Sequence, residues 1–401
     1  MRLVVKFGGT SLATGERIER AAASIADVIS NGHEVVVVAS AMGDQTDQLL
    51  DTISFDASQG DKAEILSMGE RISIRMLKAA LATKGVDATF IEPGDTYWPI
   101  KTNSHGDIDT DTTADQVATL ENLIGDTVPV VAGFVGESED GDVTTLGRGG
   151  SDTTAVLLGR YLNADKVVIV TDVEGIMTGD PRVVEGAQYI DEITVDELRS
   201  LSFRGAEVIA SNALSYKDED LEIRVIHYQH NDLLSGGTLI EGEFSNLIDM
   251  RERPLACLTV AGRAIRNQEG ILSRLSSALS ASDINIDAVA SGMDSLTFYV
   301  DEDIAERAEN ILHQEVIDDN ALSSVTVTDN VAVIRVLGGE LPTKPGVIHE
   351  LTAPLADAHI NIHDLITSAT SVAVFVSWED REATLEKIQR KVEEISPTDP
   401  G

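Results

Sequence analysis

The sequence LVVKFGGTS at residues 3–11 decides the fold of the N-terminal part of the chain. Its apolar start predicts a short buried strand, its glycines predict a tight loop, and the apolar residues of 16–29 recur at helical spacing. A strand, a glycine loop and a helix in this order form a unit whose loop amides and helix N-terminus bind phosphate oxygens. Lys6 would add a mobile positive charge, but it precedes the glycines, so the loop is not a Walker loop. A tight turn without a ligand is the alternative explanation of these glycines.

Further apolar strands follow this unit, and polar loops come after them. These strands are predicted at residues 34–39, 88–91, 128–132, 166–170 and 222–226. Such apolar runs are typical of a parallel sheet that is covered by helices on both faces. In an open α/β sheet, ligands bind at the carboxyl ends of the strands. Five separate loops would place there Lys6, Thr46, Arg148, Asp172 and Arg182.

A second glycine-rich stretch, TTLGRGGSDTTA at 144–155, leads into an apolar helix. Its three glycines allow the backbone to approach a ligand closely, and Ser151 or Asp152 is predicted to cap the helix. Arg148 would lie at the positive end of that helix, where its planar fork can bind a carboxylate or phosphate through two hydrogen bonds. A flexible hairpin followed by a capped helix is the alternative without a ligand.

The composition is that of a globular protein with a very acidic surface. The 401 residues are 42% hydrophobic, and 68 acidic against 30 basic residues give a net charge of −38. This charge argues against nucleic acid and anionic membranes as partners, because both are bound by basic patches. Acidity along the whole chain is expected of a protein that stays soluble in concentrated salt, so we predict a halophilic source.

Cysteine and histidine usage indicates a reducing compartment and no metal held by the protein. Cys257 is the only cysteine, which excludes an intrachain disulfide and a multi-cysteine metal site. The histidines lack HExxH spacing, and His227 and His230 are assigned to packing or surface roles. No apolar run approaches the roughly 20 residues that span a bilayer, and the N-terminus does not read as a signal peptide. We therefore expect a cytoplasmic protein.

The C-terminal part of the chain repeats itself at a constant offset. Residues 284–287 read INID and residues 360–363 read INIH, and Gly270 and Gly346 are likewise 76 positions apart. Each copy predicts a βαββαβ unit. The exposed sheet edges of two such units would pair with each other or with another subunit.

Six motifs lie along the first half of the chain. They are KFGGTS (6–11), SAMG with a threonine after it (40–46), GE (69–70), TTLGRGGSD (144–152), TDVEGI (171–176) and DPR (180–182). Together they resemble the aspartate kinases of the amino acid kinase family, and the two repeats resemble the regulatory ACT domains of those enzymes. The resemblance covers nearly the whole chain. It implies an amino acid kinase domain at 1–241 with an open, mainly parallel sheet between helices, a linker at 242–254, and ferredoxin-like ACT domains at 255–326 and 327–395.

The resemblance also implies two ligand sites. ATP phosphates would lie against Lys6, Phe7, Gly8 and Gly9, and the nucleotide would also contact Thr171, Asp172, Met177, Asp180 and Arg182. Aspartate would bind to Thr46, Glu70, Arg148, Ser151 and Asp152. Lys6 and Asp152 would be the catalytic residues. The reaction would convert L-aspartate and Mg-ATP, with Mg²⁺ carried by the nucleotide, to 4-phospho-L-aspartate and ADP, opening the route to lysine, threonine and methionine.

The residue types agree with this reaction. A carboxylate nucleophile is already ionised at neutral pH, so the enzyme must position the reactants and neutralise charge, and it needs no general base. Arg148 suits a substrate carboxylate, Glu70 can accept hydrogen bonds from the substrate ammonium, and Lys6 can neutralise the transferred phosphoryl group. Asp152 is predicted to orient Lys6.

The sequence departs from the family pattern in three places. The family usually has Gly-Ala/Ser-Lys in the helix after DPR, and here 205–207 reads GAE, so Glu207 replaces a second phosphate-contacting lysine. Residues 210–211 read AS where His-Pro is common, and Met177 stands where an aromatic is common. Glu207 leaves open the alternative of a non-catalytic or weakly active paralogue that senses amino acids. A kinase for another small carboxylate is a separate alternative within the same fold.

The ACT resemblance implies feedback control by an amino acid, either lysine or threonine or both. The effector would lie near Gly270, Asn285, Ile286 and Asp287 in the first repeat, and near Gly346, Asn361, Ile362 and His363 in the second. The alternating isoleucines of both INI stretches equally fit plain core strands, which predicts a purely structural, dimerising role. A homodimer or higher homo-oligomer is expected in both cases.

Overall fold

The chain divides into two units, residues 1–245 and residues 246–401. The computed structural model describes residues 1–179, 183–202, 209–230, 232–243, 248–263, 265, 268–337, 346–368 and 371–395. None of the described helices is both long and apolar enough to cross a membrane.

The first unit is built on an open sheet. Its strands are β1 (Arg2–Phe7), β2 (Glu34–Ala39), β3 (Ala88–Ile91), β4 (Lys101–Thr102), β5 (Val128–Ala132), β6 (Val135–Ser138), β7 (Val143–Thr145), β8 (Lys166–Thr171), β9 (Glu192–Thr194), β10 (Glu222–His227) and β11 (Thr238–Glu241). Its helices are α1 (Gly15–Ser30), α2 (Gln45–Thr52), α3 (Gln59–Thr83), α4 (Thr110–Glu121), α5 (Gly150–Tyr161), α6 (Val195–Ser202) and α7 (Ser211–Leu214). The main sheet has the order β3-β5-β2-β1-β8-β10-β11-β9, and β4, β6 and β7 form a separate small sheet.

The main sheet is parallel apart from one pair, and this confirms the predicted fold class. Only β10 and β11 run antiparallel in its described part. Val36, Val37 and Val38 of β2 are fully buried, and α1, α3 and α5 all contact this strand. A central strand of this kind is apolar throughout because both of its faces are covered.

The second unit contains one sheet made by both repeats. Its strands are β12 (Ile248–Met250), β13 (Leu255–Ala261), β14 (Ala288–Ser291), β15 (Ser295–Asp301), β16 (Ser324–Leu337), β17 (Ile362–Thr367) and β18 (Ser371–Ser377). Its helices are α8 (Ile271–Ser280), α9 (Ala305–Asp318), α10 (Val347–Asp357) and α11 (Arg381–Ile395). The strand order is β14-β15-β13-β16-β18-β17, and β12 also pairs with β16.

The long strand β16 belongs to both repeats. Residues 324–328 and Val331 pair with β13 of the first repeat, and residues 331–337 pair with β18 of the second. β12 lies antiparallel to the second half of β16, so it takes the place of a fourth strand in the second repeat. The boundary expected between residues 326 and 327 thus lies inside a strand, and part of the expected linker at 242–254 is a strand of the sheet.

The prediction that both INI stretches are strands is wrong. Residues 284–286 precede β14, and in the second repeat only Ile362 lies within a strand. Ile284 and Ile360 are nevertheless buried, in the cores of the first and the second repeat respectively. Burial of alternate side chains does not require strand pairing, and here the stretches connect a helix to the following strand.

Candidate active site

A cavity of about 280 Å³ lies where β1 and β2 reach their carboxyl ends. Six residues predicted for catalysis or aspartate binding line it, namely Lys6, Thr46, Glu70, Arg148, Ser151 and Asp152. The structure therefore brings together residues from β1, α2, α3 and the start of α5. Two details differ from the expected strand-end loops, because Thr46 lies in α2 and the segment that carries Arg148 follows β7 of the small sheet.

Lys6 and Asp152 form a nearly buried ion pair. Lys6 Nζ lies 2.6 Å from Asp152 Oδ1, and the two side chains are 12% and 10% exposed. The other carboxylate oxygen, Asp152 Oδ2, accepts a hydrogen bond of 3.2 Å from the backbone N–H of Ala210. With both oxygens engaged, the carboxylate has little rotational freedom and holds the lysine ammonium at one place in the cavity wall.

The N-terminus of α5 faces the cavity, and it is capped differently from the prediction. Neither Ser151 nor Asp152 is the cap, because both lie in the first turn and Gly149 is the N-cap residue, with a φ of 76°. Arg148, just before this cap, is exposed, and no described carboxylate lies within ion-pair distance of it. A helix N-terminus and an unpaired guanidinium together make a receptor for anionic groups.

Glu70 is buried at the cavity wall with half of its carboxylate unpaired. The residue is 2% exposed, and Glu70 Oε1 accepts a hydrogen bond of 3.1 Å from the Ala41 N–H. Glu70 Oε2 is buried and has no hydrogen-bond partner among the described residues. Burial raises the pKa of this carboxyl to about 7, against the opposing effect of backbone hydrogen bonds. A buried acceptor without a partner suits a ligand that donates hydrogen bonds.

The glycine loop after β1 is fixed by its neighbours on two sides. The Gly8 N–H and the Ser11 hydroxyl both donate to the Val170 carbonyl at 3.0 Å, which joins the loop to the end of β8. On the other side the Gly43 N–H donates to the Gly9 carbonyl at 2.8 Å. A Cβ atom on Gly9 would lie 2.7 Å from the Gly43 carbonyl oxygen, so this close approach requires glycine.

The residues predicted to bind the nucleotide lie mostly outside the cavity lining. Thr171 ends β8, the strand next to β1, and its hydroxyl donates to Asp172 Oδ1 at 3.3 Å. Phe7 is buried in the core, and Met177 forms an isolated β-bridge with Tyr189. Asp180 and Arg182, which are predicted to contact the nucleotide, lie outside the described residues. Glu207, which differs from the family pattern, also lies outside them.

Phe134 lines the cavity and was missed by the sequence analysis. Its φ is 68°, a left-handed conformation that is strained for a bulky residue. Its carbonyl accepts a hydrogen bond of 2.8 Å from the Leu146 N–H, and a Cβ atom on Gly150 would lie 3.0 Å from its Cα. The contacts with the stretch before α5 thus hold Phe134 in place. The Gly-Phe pair directly after the apolar strand 128–132 is the signal that marks this position.

The predicted effector residues lie at the starts of helices and strands in the two repeats. Gly270 and Gly346 are the N-cap residues of α8 and α10, with φ values of 82° and 94°. Asp287 Oδ1 lies 3.4 Å from Arg251 Nη2. The remaining predicted positions divide into exposed Asn285, Asn361 and His363 and half-buried Ile286 and Ile362.

The family is identified by matches that cover both units. Residues 1–227 match the family model described as the amino acid kinase family, and residues 258–316 and 326–390 each match an ACT domain model. The chain therefore belongs to the amino acid kinase family.

Curated relatives of the chain are aspartokinases. It is 35% identical to Aspartokinase 2 of Bacillus subtilis, over 96% of both chains. It is also 34% identical to the aspartokinase of Corynebacterium glutamicum, over 96% of this chain and 94% of the relative. Among solved structures, the aspartate kinase from Synechocystis has a TM-score of 0.82 at 27% identity, covering 100% of this chain and 70% of that one. Aspartokinase III of E. coli in complex with aspartate and ADP has a TM-score of 0.54 at 26% identity, covering 98% and 100%.

Proposed function

We propose that this chain is an aspartate kinase, which transfers the terminal phosphoryl group of Mg-ATP to the side-chain carboxylate of L-aspartate. The observation that carries the proposal is the arrangement of Glu70, Arg148 and the Lys6–Asp152 pair around one cavity. The aspartokinase names of its relatives and the aspartate and ADP in the E. coli structure support it.

The cavity matches the charges of aspartate. The substrate carries two carboxylates and one ammonium. Arg148 and the N-terminus of α5 attract the carboxylates, and the unpaired Glu70 Oε2 accepts from the ammonium. Binding of the ammonium favours the ionised form of Glu70, so this carboxyl becomes ionised when the substrate binds. Thr46 and Ser151 contribute hydroxyl groups to the same wall.

Lys6 performs the main electrostatic role in the transfer. The attacking carboxylate oxygen is ionised at neutral pH, and charge accumulates on the oxygens of the transferred phosphoryl group. Lys6 neutralises this charge from a position that Asp152 fixes, and Mg²⁺ enters as part of the substrate Mg-ATP. Gly8 and Gly9 let the backbone come close to the phosphates.

Further proposals follow from the family and the composition. The product enters the route to lysine, threonine and methionine, and an amino acid such as lysine or threonine regulates the enzyme through the ACT repeats. Support comes from the E. coli aspartokinase III structure with lysine and aspartate. We also propose a cytoplasmic homodimer or higher homo-oligomer that works in concentrated salt, because its net charge is −38.

Aspartate-dependent ADP release in molar KCl with Mg²⁺ tests this function, with hydroxylamine added to trap the acyl phosphate as a hydroxamate. We expect hydroxamate from aspartate and none when aspartate is omitted or replaced by glutamate.

The Glu207→Lys variant is measured in parallel. Activity in this variant together with a silent wild type would instead identify a sensor that has lost its second phosphate-contacting lysine. Equal stability of the wild type with and without molar KCl would refute the halophilic origin.

A further inference from the structure

Arg17, in the first turn of α1, is a cation that lacks a described carboxylate partner in a chain with 68 acidic residues. Two other contacts hold its guanidinium. It lies over the ring of Tyr228, 4.3 Å from the centroid, and Nη1 donates a hydrogen bond to the carbonyl of Thr10. A cation stacked on an aromatic ring keeps its full charge, and none of the described carboxylates lies close enough to neutralise this one.

The two groups that hold Arg17 belong to different loops of the nucleotide side. Thr10 directly follows Gly8 and Gly9 after β1, whereas Tyr228 directly follows β10. The Tyr228 N–H donates to the Thr171 carbonyl at 2.8 Å. Since β1, β8 and β10 are neighbours in the sheet, their carboxyl ends lie side by side. Arg17 therefore connects the glycine loop to the strand ends at which the nucleotide residues are predicted.

Arg17 complements Lys6 in this arrangement. Lys6 is already paired with Asp152, so part of its positive charge is balanced within the protein. The polyphosphate of a nucleoside triphosphate carries several negative charges. Its binding therefore needs further cations near the glycine loop. Arg17 adds charge beside that loop, and its hydrogen bond to Thr10 also restrains the loop backbone.

We propose that Arg17, stacked on Tyr228, is a positioning residue for the nucleotide. It fixes the glycine loop against the ends of β8 and β10 and adds positive charge on that side, so that it favours ATP and ADP binding without acting on aspartate. This inference rests on the proposed kinase function for the identity of the nucleotide.

Five variants test the pair, and for each we would measure the KM values for ATP and aspartate, kcat, the Kd of ADP and the unfolding temperature. In Arg17→Met and Tyr228→Leu we expect the KM for ATP and the Kd of ADP to rise on the order of ten-fold, with the KM for aspartate within about two-fold of wild type. Tyr228→Phe keeps the ring and should match the wild type. Arg17→Lys keeps the charge without the planar stack and should be intermediate. Arg20→Met, on the same helix, removes an arginine whose carboxylate partner is Glu16, and it serves as the control.

Two outcomes would overturn the inference. One is ADP binding in Arg17→Met that stays within two-fold of wild type. The other is an equal rise in both KM values together with a lower unfolding temperature, which would make the pair a general support of the fold. ADP binding needs no turnover, so its result is separate from the activity assay. A wild type that forms no hydroxamate contradicts the proposed function, whereas unchanged ADP binding in the variant contradicts only this inference.

Discussion

Lys6 Nζ lies 2.6 Å from Asp152 Oδ1, and this contact joins the end of a central strand to the first turn of α5. The Ala210 N–H holds the other oxygen of the carboxylate, so the position of the lysine depends on three separate segments of the chain. A cation that must meet developing charge at one place is more effective when its position is set beforehand.

Asp152→Asn should lower kcat on the order of 10²-fold while the protein stays folded, because Lys6 loses its anchor and its charge partner. Steady-state kinetics and thermal unfolding would check this. Asp111→Asn is the matched control, since Asp111 is an exposed acid in the first turn of another helix, α4. An unchanged kcat in Asp152→Asn would show that Lys6 does not need this partner.

The KM for aspartate should fall about ten-fold between pH 6 and pH 8, because only ionised Glu70 offers a negative charge to the substrate ammonium and its pKa is about 7. Glu70→Gln keeps an oxygen for the Ala41 N–H but has no charge. Its KM should therefore be higher at pH 8 and almost independent of pH. A parallel pH profile in the variant would show that another group causes the dependence.

Burial of Glu70 should also make the folding stability depend on pH. Its folded pKa of about 7 lies above the ordinary value of 4.5, so the unfolded chain releases this proton first as pH rises. The free energy of unfolding then falls between about pH 4.5 and pH 7, and Glu70→Gln lacks this loss. Urea unfolding at pH 5 and pH 8 should show that the variant gains stability relative to wild type at the higher pH. Glu64→Gln changes an exposed acid of the same helix and should show no such gain.

Substitutions at Gly147 and Gly149 allow the cost of a left-handed backbone to be measured separately from the cost of a steric collision. Both have positive φ, 73° and 76°, but a Cβ atom on Gly147 would meet open space, whereas one on Gly149 would collide with Ala210. Gly147→Ala should therefore lower the free energy of unfolding by about 1–2 kcal/mol, and Gly149→Ala should lower it by clearly more. Denaturant unfolding of the two variants checks the order, and equal losses would contradict the collision.

Tyr299 links the two repeats of the second unit. Its ring stacks on Phe375 with centroids 4.1 Å apart, and its hydroxyl donates to Asp364 Oδ2 at 3.1 Å. Tyr299→Phe should lower the free energy of unfolding by about 1–3 kcal/mol, because the Asp364 carboxylate loses a donor. Asp364→Asn keeps an oxygen acceptor and should have a smaller effect. Chemical denaturation followed by circular dichroism would measure both variants.

The sequence predicted the parts of the fold that depend on local pattern. The apolar runs of the first unit and the constant offset of the repeats correspond to observed strands and helices, because periodicity reports which faces are buried. The cavity was predicted in outline from Lys6, which lies near the carboxyl end of a strand of the parallel sheet. Glu70 in α3 and Arg148 after β7 of the small sheet reach the same cavity from other elements.

The remaining features depend on contacts between distant segments. Gly149 caps α5 with its backbone in a left-handed conformation next to Ala210, and nothing in the local sequence distinguishes it from Ser151 as the cap. The strained Phe134 is held by residues of the stretch before α5, so its role is not visible from its own strand. β12 is only three residues long, and it is defined by its pairing with β16 almost 90 positions later.

The shared strand β16 gives the second unit a nested architecture. The first repeat lies within the second along the chain, because β12 precedes the first repeat and completes the second one in space. A truncation after residue 326 would cut a hydrogen-bonded strand in two and leave β12 without its neighbour. The second repeat cannot be excised as a contiguous fragment, and excision of the first would cut β16, so the smallest piece suited to separate expression runs from before β12 to the end of α11.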